Sequence, residues 1–179
     1  MEPLEELIAN YAHAYPQEKA PHEMLEYLKT EDCFYNHNYH GHFTGSAWVV
    51  SPDKDQILMN HHKNLGKWLQ FGGHADGEED LLSVAVREAK EESGIQNFTV
   101  LSTEIFDMDI HEIPERMDQP AHRHYDVRFL LEADPFGNKI VISDESYDVA
   151  WVSTERAVGM NPEMSIQRMV RKTLLMKNN

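Results

Sequence analysis

The sequence predicts an α/β fold in which helices cover both faces of a mixed β-sheet. Residues 46–50 and 56–61 are rich in strand-forming residues and are separated by a turn at residues 52–55. A helical pattern follows at residues 80–93, and another ends the chain at residues 162–176. Strands interspersed with helices in this way are typical of a sheet that lies between helical layers.

The first 42 residues are predicted to form an N-terminal helical extension to a main domain at residues 43–179. Pro3 suits the first turn of one helix, and Pro21 interrupts the pattern before a second helix. The apolar residues predicted to face inward on the two helices are Leu4, Leu7, Ile8, Tyr11, Met24, Leu25 and Leu28. The polar, histidine-rich residues 36–42 are predicted as a connecting loop. Three roles are open for the extension: to close a pocket, to form a homodimer contact, or to cover the sheet.

The remaining elements follow from short apolar or alternating patterns. Tyr125, Val127 and Phe129 alternate with polar or charged residues, which predicts a strand with one buried face. Residues 112–121 contain two prolines and are predicted as a long loop, and such loops are often functional. Further strands are predicted at residues 65–71, 98–101, 103–110, 139–142 and 149–152.

The composition excludes several classes of protein. Hydrophobic residues make up 41% of the 179 residues and charged residues 26%, as in ordinary globular proteins. The net charge of −15 argues against binding to duplex nucleic acid, whereas a metal ion could still recruit a small phosphorylated substrate. No apolar run is long enough for a membrane span, and no signal peptide is evident. The single cysteine, Cys33, indicates a reducing compartment, so we expect a cytoplasmic protein.

Residues 72–95 form the segment around which the chain is organised. Its first eight residues are predicted as a glycine-rich loop that leads into a helix. Asp76 or Gly77 is predicted as the N-cap, with acidic residues 78–80 in the first turn, where the helix dipole favours negative charge. Gly94 suits the left-handed residue that often ends a helix.

Glu88, Glu91 and Glu92 lie along one arc of this helix, beside an apolar stripe. The stripe consists of Leu81, Leu82, Ala85, Val86 and Ala89. Like charges three or four residues apart on a helix repel each other by about 0.2–0.5 kcal/mol per pair. Three acids crowded beside a buried face therefore predict a site for a hard divalent cation. The alternative is a solvated acidic face, which is common in so acidic a chain.

A fixed spacing of glycine, glutamate and arginine runs through the same segment. Gly73 is followed after five residues by Glu79, and after seven more by residues 87–95, which read Arg-Glu-Ala-Lys-Glu-Glu-Ser-Gly-Ile. This pattern resembles the Nudix box of the Nudix hydrolase family, with Ala89 small for its aliphatic position. The resemblance implies an α/β/α sandwich. It also implies hydrolysis of a nucleoside diphosphate linked to another group, with two or three Mg²⁺ or Mn²⁺ ions.

The resemblance also assigns roles to individual acids. Glu88 and Glu92 would be the main metal ligands, and Glu91 would be a further ligand or a base. The backbone carbonyl of Gly72 would be an additional ligand. The family often supplies one more acid from a later loop, and Glu145 is the candidate here. The alternative is that Glu145 and its acidic neighbours face solvent.

Arg87 and Glu79 receive a structural role from the resemblance. Arg87 would hold Glu79 and so orient the acidic face of the helix. The alternative for Arg87 is an ordinary ion pair with Glu91, four residues further along the helix.

Histidines are the other candidate site residues. His122 and His124 would share one face of an extended strand, and with Arg123 they could meet a substrate phosphate. Surface or hydrogen-bonded histidines are the alternative, and no zinc-binding motif accompanies them, so we expect no structural zinc. His74, inside the box, and Trp68, just before it, are further candidates for substrate binding.

Three functions are weighed from the sequence. The intact set of acids favours a metal-dependent diphosphate hydrolase over a catalytically silent nucleotide-binding module. An isoprenoid diphosphate isomerase would need a catalytic cysteine, and Cys33 lies outside any matching segment. Within the family, ADP-ribose hydrolases carry a proline about 15 residues after the box, and dinucleoside polyphosphate hydrolases carry a tyrosine slightly further on. Ile110 and His111 occupy the expected positions, so neither mark is present.

Overall fold

The computed structural model describes residues 2–115 and 120–177 as an eight-stranded mixed sheet with five helices. The strands are β1 (Gly41–Val50), β2 (Gln56–His62), β3 (Lys67–Leu69), β4 (Phe71–His74), β5 (Thr99–Val100), β6 (Asp107–Ile113), β7 (His122–Glu132) and β8 (Ser146–Ser153). The helices are α1 (Leu4–Ala14), α2 (Ala20–Tyr27), α3 (Leu81–Ser93), α4 (Thr154–Met160) and α5 (Met164–Lys177). The predicted α/β architecture is confirmed.

Strand β1 is the centre of the sheet, and its long pairing with β7 is parallel. The other pairings are antiparallel: β1 with β2 and β4, β2 with β3 and β8, and β7 with β5 and β6. The parallel register places His42 opposite His124, while Thr44 lies opposite His74 on the other side of β1. Residues distant in the chain therefore meet at the N-terminal end of β1.

Two apolar clusters cover the two faces of the sheet. On β1, Phe43, Ala47 and Val49 belong to the cluster that contains residues of α1, α2 and α3. Trp48 and Val50 point the other way and pack with residues of α4 and α5. The side-chain alternation of a strand thus gives each helical layer its own core. The α/β/α sandwich expected from the resemblance is what the structure shows.

The two N-terminal helices belong to the first of these cores. Leu7, Ile8, Tyr11 and Met24 are buried in it. The apolar faces predicted for α1 and α2 are therefore confirmed, and the helices cover the sheet. The homodimer contact and the division of the chain at residue 42 stay predictions.

A buried ionic cluster joins the sheet to α5. The carboxylate of Asp107, which is 0% exposed, accepts hydrogen bonds from Arg168 Nε at 2.7 Å, Arg128 Nη1 at 3.1 Å and Lys172 Nζ at 2.8 Å. Lys172 also donates to the Tyr11 hydroxyl at 2.5 Å, so the cluster reaches α1. Burial opposes ionisation of Asp107, but the bases around it outweigh burial and lower its pKa.

Several element boundaries differ from the prediction. β1 begins at Gly41, so its first two residues fall in the predicted loop at residues 36–42. Residues 72–74 belong to β4 and pair with β1, although they were expected in a glycine-rich loop. The N-cap of α3 is Asp80, whose side chain accepts a hydrogen bond from Ser83 N at 3.2 Å. Asp76 and Gly77 precede the helix, while Gly94 ends it with φ 74° as predicted.

Later in the chain, residues 139–142 do not form the predicted strand. Helix α4, between β8 and α5, is absent from the sequence prediction because its pattern is short. β6 extends through Ile113 and β7 begins at His122, which shortens the predicted loop at residues 112–121. Part of that loop, residues 116–119, lies outside the described residues. No helix within residues 2–115 and 120–177 combines the length and apolar character needed to cross a bilayer.

Candidate active site

A cleft of about 440 Å³ lies between α3, β4 and the start of β7. Its acidic lining residues are Asp76, Glu88, Glu91, Glu92, Asp126 and Glu145. Its histidine lining residues are His62, His74, His111, His122 and His124. The acids predicted on α3 and the histidines predicted on β7 therefore face one space.

Glycines allow α3 to approach the sheet closely enough to form this cleft. A Cβ atom at Gly45 on β1 would lie 2.6 Å from the carbonyl oxygen of Leu81 at the start of α3. A Cβ atom at Gly73 on β4 would lie 2.5 Å from the carboxylate carbon of Glu88. Both distances are shorter than real Cβ contacts. Gly45 has no alternative because it meets backbone, whereas a side chain at position 73 would displace the Glu88 carboxylate.

Glu92 is the most firmly positioned acid of the cleft. It is 6% exposed, and its two carboxylate oxygens accept hydrogen bonds from Asn60 Nδ2 at 2.8 Å and Gly72 N at 3.0 Å. Burial raises the pKa of Glu92 to about 8, with the nearby charges of Glu88 and Glu145 adding to the rise. Asn60 and Gly72 therefore fix a carboxylate that is costly to ionise without a cation.

Glu88 lies one helical turn before Glu92 and is half-buried. Burial raises the pKa of Glu88, while a hydrogen bond from Arg87 Nη2 at 2.8 Å opposes the rise. The same nitrogen of Arg87 donates to the carbonyl oxygen of His74 at 2.8 Å. Arg87 therefore links Glu88 and α3 to β4.

This arrangement corrects both sequence interpretations of Arg87. Within the described residues, Arg87 makes a hydrogen bond or ion pair with neither Glu79 nor Glu91. Glu79 is exposed and precedes the N-cap of α3, so it is not held by Arg87 as the resemblance implied. The observed partners of Arg87 are Glu88 and the His74 carbonyl, and its orienting role stays a prediction.

Glu145 reaches the acids of α3 from the loop before β8. Carboxylate oxygens of Glu145 and Glu92 and a ring nitrogen of His62 lie within 4.8 Å of one another. The loop is held by hydrogen bonds from Lys63 N to the Glu145 carbonyl at 2.9 Å and from Lys63 Nζ to the Asp144 carbonyl at 2.7 Å. The structure thus brings Glu145 to the site, while Glu91 lines the cleft from an exposed position.

The histidines gather at the other end of the cleft. His74 and His124 lie beside His42 of β1, with ring centroids 4.9 Å and 4.8 Å from that of His42. His122 adds a ring 5.1 Å from His42. Burial, together with the neighbouring imidazoles, lowers the pKa of His42 to about 4. Burial also lowers the pKa of His74 and of His124.

Two other candidate residues lie outside the cleft. Trp68 stacks on His61 with centroids 4.9 Å apart and packs against the core on the α5 side of the sheet, so it does not line the cleft. Arg123 donates to Glu23 of α2 at 2.5 Å and does not line the cleft. Trp68 and Arg123 are each next in sequence to residues that line the cleft, and so point to the opposite face of the sheet. The sequence alone does not reveal which of the two faces borders the cleft.

Several residues of the site, among them Asn60, His62 and His42, were not identified from the sequence. Asn60 and His62 share a face of β2, two residues apart, but the chain does not reveal that this face meets α3. His42 was expected in a loop and is instead 0% exposed on β1. The pairing of β1 with both β4 and β7 makes His42 part of the histidine group, and no local pattern carries that information.

The acidic end fits the divalent ion that the Nudix resemblance implies. The raised pKa of Glu92 and of Glu88 means that their charges are not compensated by the protein alone. A divalent cation would compensate them, and carboxylate oxygens are the ligands that Mg²⁺ and Mn²⁺ prefer. His62 and Glu145 are close enough to extend the ligand set.

Comparison with known proteins agrees with the geometry. Residues 41–171 match the family model of the NUDIX domain. A protein of Lactococcus lactis subsp. cremoris (strain MG1363), named "Probable DHNTP pyrophosphohydrolase", is 31% identical over 93 residues. That alignment covers 51% of this chain and about half, 54%, of the relative.

Solved structures share the fold. A NUDIX family hydrolase from Clostridium perfringens superimposes with a TM-score of 0.58 at 26% identity, covering 78% of this chain and 99% of its own. The dihydroneopterin triphosphate pyrophosphohydrolase of E. coli gives a TM-score of 0.56 at 16% identity, covering 74% of this chain and 95% of its own. The family model extends over well more than half of the sequence and includes the whole acidic helix. The chain therefore belongs to the NUDIX family.

Proposed function

We propose that this protein is a pyrophosphohydrolase that cleaves a phosphoanhydride bond in a nucleoside diphosphate linked to another group, with Mg²⁺ or Mn²⁺. The observation that carries the proposal is the convergence of Glu88, Glu92 and Glu145 on one wall of the cleft. Glu92 is buried, is held by two hydrogen bonds and has a raised pKa, so ionising it costs free energy when no cation is bound. Such a state is expected of a metal ligand in the metal-free protein.

In the proposed mechanism, Glu88 and Glu92 bind the metal, and the Gly72 carbonyl is a further candidate ligand. A divalent ion supplies charge that neutralises the phosphoryl oxygens and makes water more acidic. Asn60 and the Gly72 N–H hold the Glu92 carboxylate in one orientation, and Arg87 does the same for Glu88.

The attacking water needs a group that accepts its proton. Glu145 and Glu91 are exposed carboxylates on the cleft wall, so either can hold that proton. His74 and His124 line the far end of the cleft, where the part of the substrate remote from the cleaved bond would lie. His122 lies beside them and positions the His124 ring through a contact between their Nε2 atoms at 3.2 Å.

The two alternatives are less well supported. A silent binding module would not need Glu92 to be fixed beside Glu88 and Glu145. An isomerase would need an accessible thiol in the site. Cys33 is 3% exposed, lies near the Leu28 carbonyl at 3.8 Å, and does not line the cleft.

The substrate class follows from the relative with detectable sequence similarity. Its printed name specifies DHNTP, which is a pterin and not a nucleoside derivative. We therefore extend the proposal to triphosphates in general, with nucleoside triphosphates and pterin triphosphates as the first compounds to examine. The absence of the ADP-ribose and dinucleoside polyphosphate marks after the box agrees with this choice. The single cysteine suits a reducing compartment, and we propose the cytoplasm as the location.

A substrate panel tests this function. Purified protein with saturating Mg²⁺ is incubated with dihydroneopterin triphosphate, nucleoside triphosphates, ADP-ribose and a dinucleoside tetraphosphate, and the products are separated by chromatography. We expect cleavage of at least one compound that EDTA stops and fresh Mg²⁺ restores. Calorimetric binding of a compound without any cleavage would instead identify a binding module and overturn the proposal.

A further inference from the structure

The histidine end of the cleft contains a group of side chains that the proposed hydrolysis does not require. Ring nitrogens of His42, His74 and His124 lie within 4.8 Å of one another. The three residues come from β1, β4 and β7, which are adjacent in the sheet. Sheet pairing therefore fixes their relative positions independently of the acidic helix.

His42 is the residue whose environment needs an explanation. It is 0% exposed, and neither of its ring nitrogens makes a hydrogen bond in the part of the chain that the structure describes. The backbone of Asn38 interacts with the ring and favours its protonated form, but this is outweighed by burial and by the neighbouring imidazoles. A buried polar group without a partner costs about 1–3 kcal/mol. Such groups persist where a ligand satisfies them.

The hydrogen bonds around His124 leave one of its nitrogens available. His122 Nδ1 lies 2.9 Å from the Pro120 carbonyl oxygen, so it must be the donor there, and the neutral ring has its lone pair on Nε2. His124 Nε2 lies 3.2 Å from His122 Nε2. His124 Nε2 therefore carries the hydrogen and donates it to His122, which leaves the lone pair of the neutral His124 ring on Nδ1. A histidine that ligates a metal usually donates its other ring N–H to a neighbouring acceptor, and the lone pair on His122 Nε2 is the acceptor for His124.

We propose that His42, His74 and His124 form a second metal site, for a divalent transition-metal ion that prefers imidazole, such as Zn²⁺. Neutral imidazoles are the ligand form, and they suit zinc, nickel, cobalt and copper better than magnesium. Zinc–nitrogen bonds are about 2.0–2.1 Å long, which places tetrahedral ligands about 3.4 Å apart. Ring nitrogens that lie up to 4.8 Å apart would therefore have to approach each other by at most about 1.4 Å for the ion to bind.

The proposed site differs from the acidic site in ligands, in ion and in function. It would join three strands at the N-terminal end of β1. Three protein ligands leave a further coordination position, as in zinc sites that bind a substrate or water. Because His74 and His124 line the cleft, that position faces the space where an anionic part of a substrate would lie. Zinc binding here does not depend on the proposed hydrolysis.

The test measures zinc binding without substrate. EDTA-treated and dialysed protein is titrated with Zn²⁺ against a chromophoric chelator, in a Glu88→Gln/Glu92→Gln background that disables the acidic site. We expect one bound Zn²⁺, with an affinity at least about 10-fold lower after His74→Gln or His124→Gln, since each removes a ligand. X-ray absorption of the bound zinc should show imidazole scattering. His61→Gln is the matched control, because His61 stacks on Trp68 outside the cleft, and it should leave affinity unchanged.

Three results would overturn the proposal. The first is the absence of a bound Zn²⁺ in the double variant. The second is zinc binding to which His74 and His124 contribute nothing, with folding of each variant confirmed by circular dichroism. The third is binding of inorganic phosphate to the metal-free protein that His74→Gln and His124→Gln abolish, because the histidines would then form an anion site.

Discussion

Two buried groups of ionisable residues in this protein are organised in opposite ways. Around Asp107 an acid meets three bases, and the pKa of Asp107 is lowered. At the α3 end of the cleft, Glu92 lies beside Glu88 and Glu145, and the pKa of Glu92 is raised to about 8. The charge of Asp107 is compensated by neighbouring bases of the chain, whereas that of Glu92 is not. The comparison indicates which buried charges hold the fold and which are available for chemistry.

The largest expected effect concerns the compensated group. Asp107→Asn removes the buried carboxylate that Arg128, Arg168 and Lys172 share, so it should lower the free energy of unfolding by about 3–5 kcal/mol. Urea denaturation measures this loss. Glu26→Gln, which breaks an exposed ion pair with Lys29, is the control and should leave stability unchanged. If both variants lowered the free energy of unfolding equally, the Asp107 cluster would contribute no more to stability than an exposed ion pair.

The second prediction concerns the uncompensated group. Glu92→Gln should lower turnover by at least about 100-fold with the fold intact, since it removes a metal ligand. Steady-state kinetics on the substrate found in the panel measures the change. Glu104→Gln alters an exposed acid outside the cleft and should leave turnover unchanged. Near-normal turnover in Glu92→Gln would refute the role of Glu92.

The third prediction shifts an acid without removing it. Gly73→Ala places a methyl group 2.5 Å from the Glu88 carboxylate carbon, so Glu88 must move, and turnover should fall by about 10-fold. Gly159→Ala is the matched control, because a Cβ atom there meets nothing within 4 Å. If kinetics show both variants equally active, the position of Glu88 does not matter to the reaction.

The last prediction is a difference in the pH dependence of stability. Without metal, the raised pKa of Glu92 means that the folded state holds a proton that the unfolded state has lost, so Glu92 makes stability fall as pH rises towards 8. Between pH 6.5 and pH 8 this amounts to about 2 kcal/mol. Urea denaturation in EDTA should show this fall in the wild type and a smaller fall in Glu92→Gln. Parallel curves for the two proteins would contradict it.

The buried ionic cluster around Asp107 was not predicted from the sequence, although the fold that contains it was. Tyr11 was predicted to face inward because of its helical spacing, but its partner Lys172 follows 161 positions later. A charged residue such as Lys172 is expected at the surface of its helix. Only the packing of α1 and α5 against the start of β6 reveals that Lys172 points inward.

The sequence by itself determined the fold class, the NUDIX family and the acids of α3, because these depend on local periodicity and on fixed spacing along one helix. Tertiary structure alone decided the partners of Arg87, the approach of Glu145 and His62 to Glu92, and the gathering of His42, His74 and His124. The physical reason is strand pairing. Side chains on β1, β4 and β7 become neighbours through hydrogen bonds between distant segments, and no local pattern in the chain encodes that register.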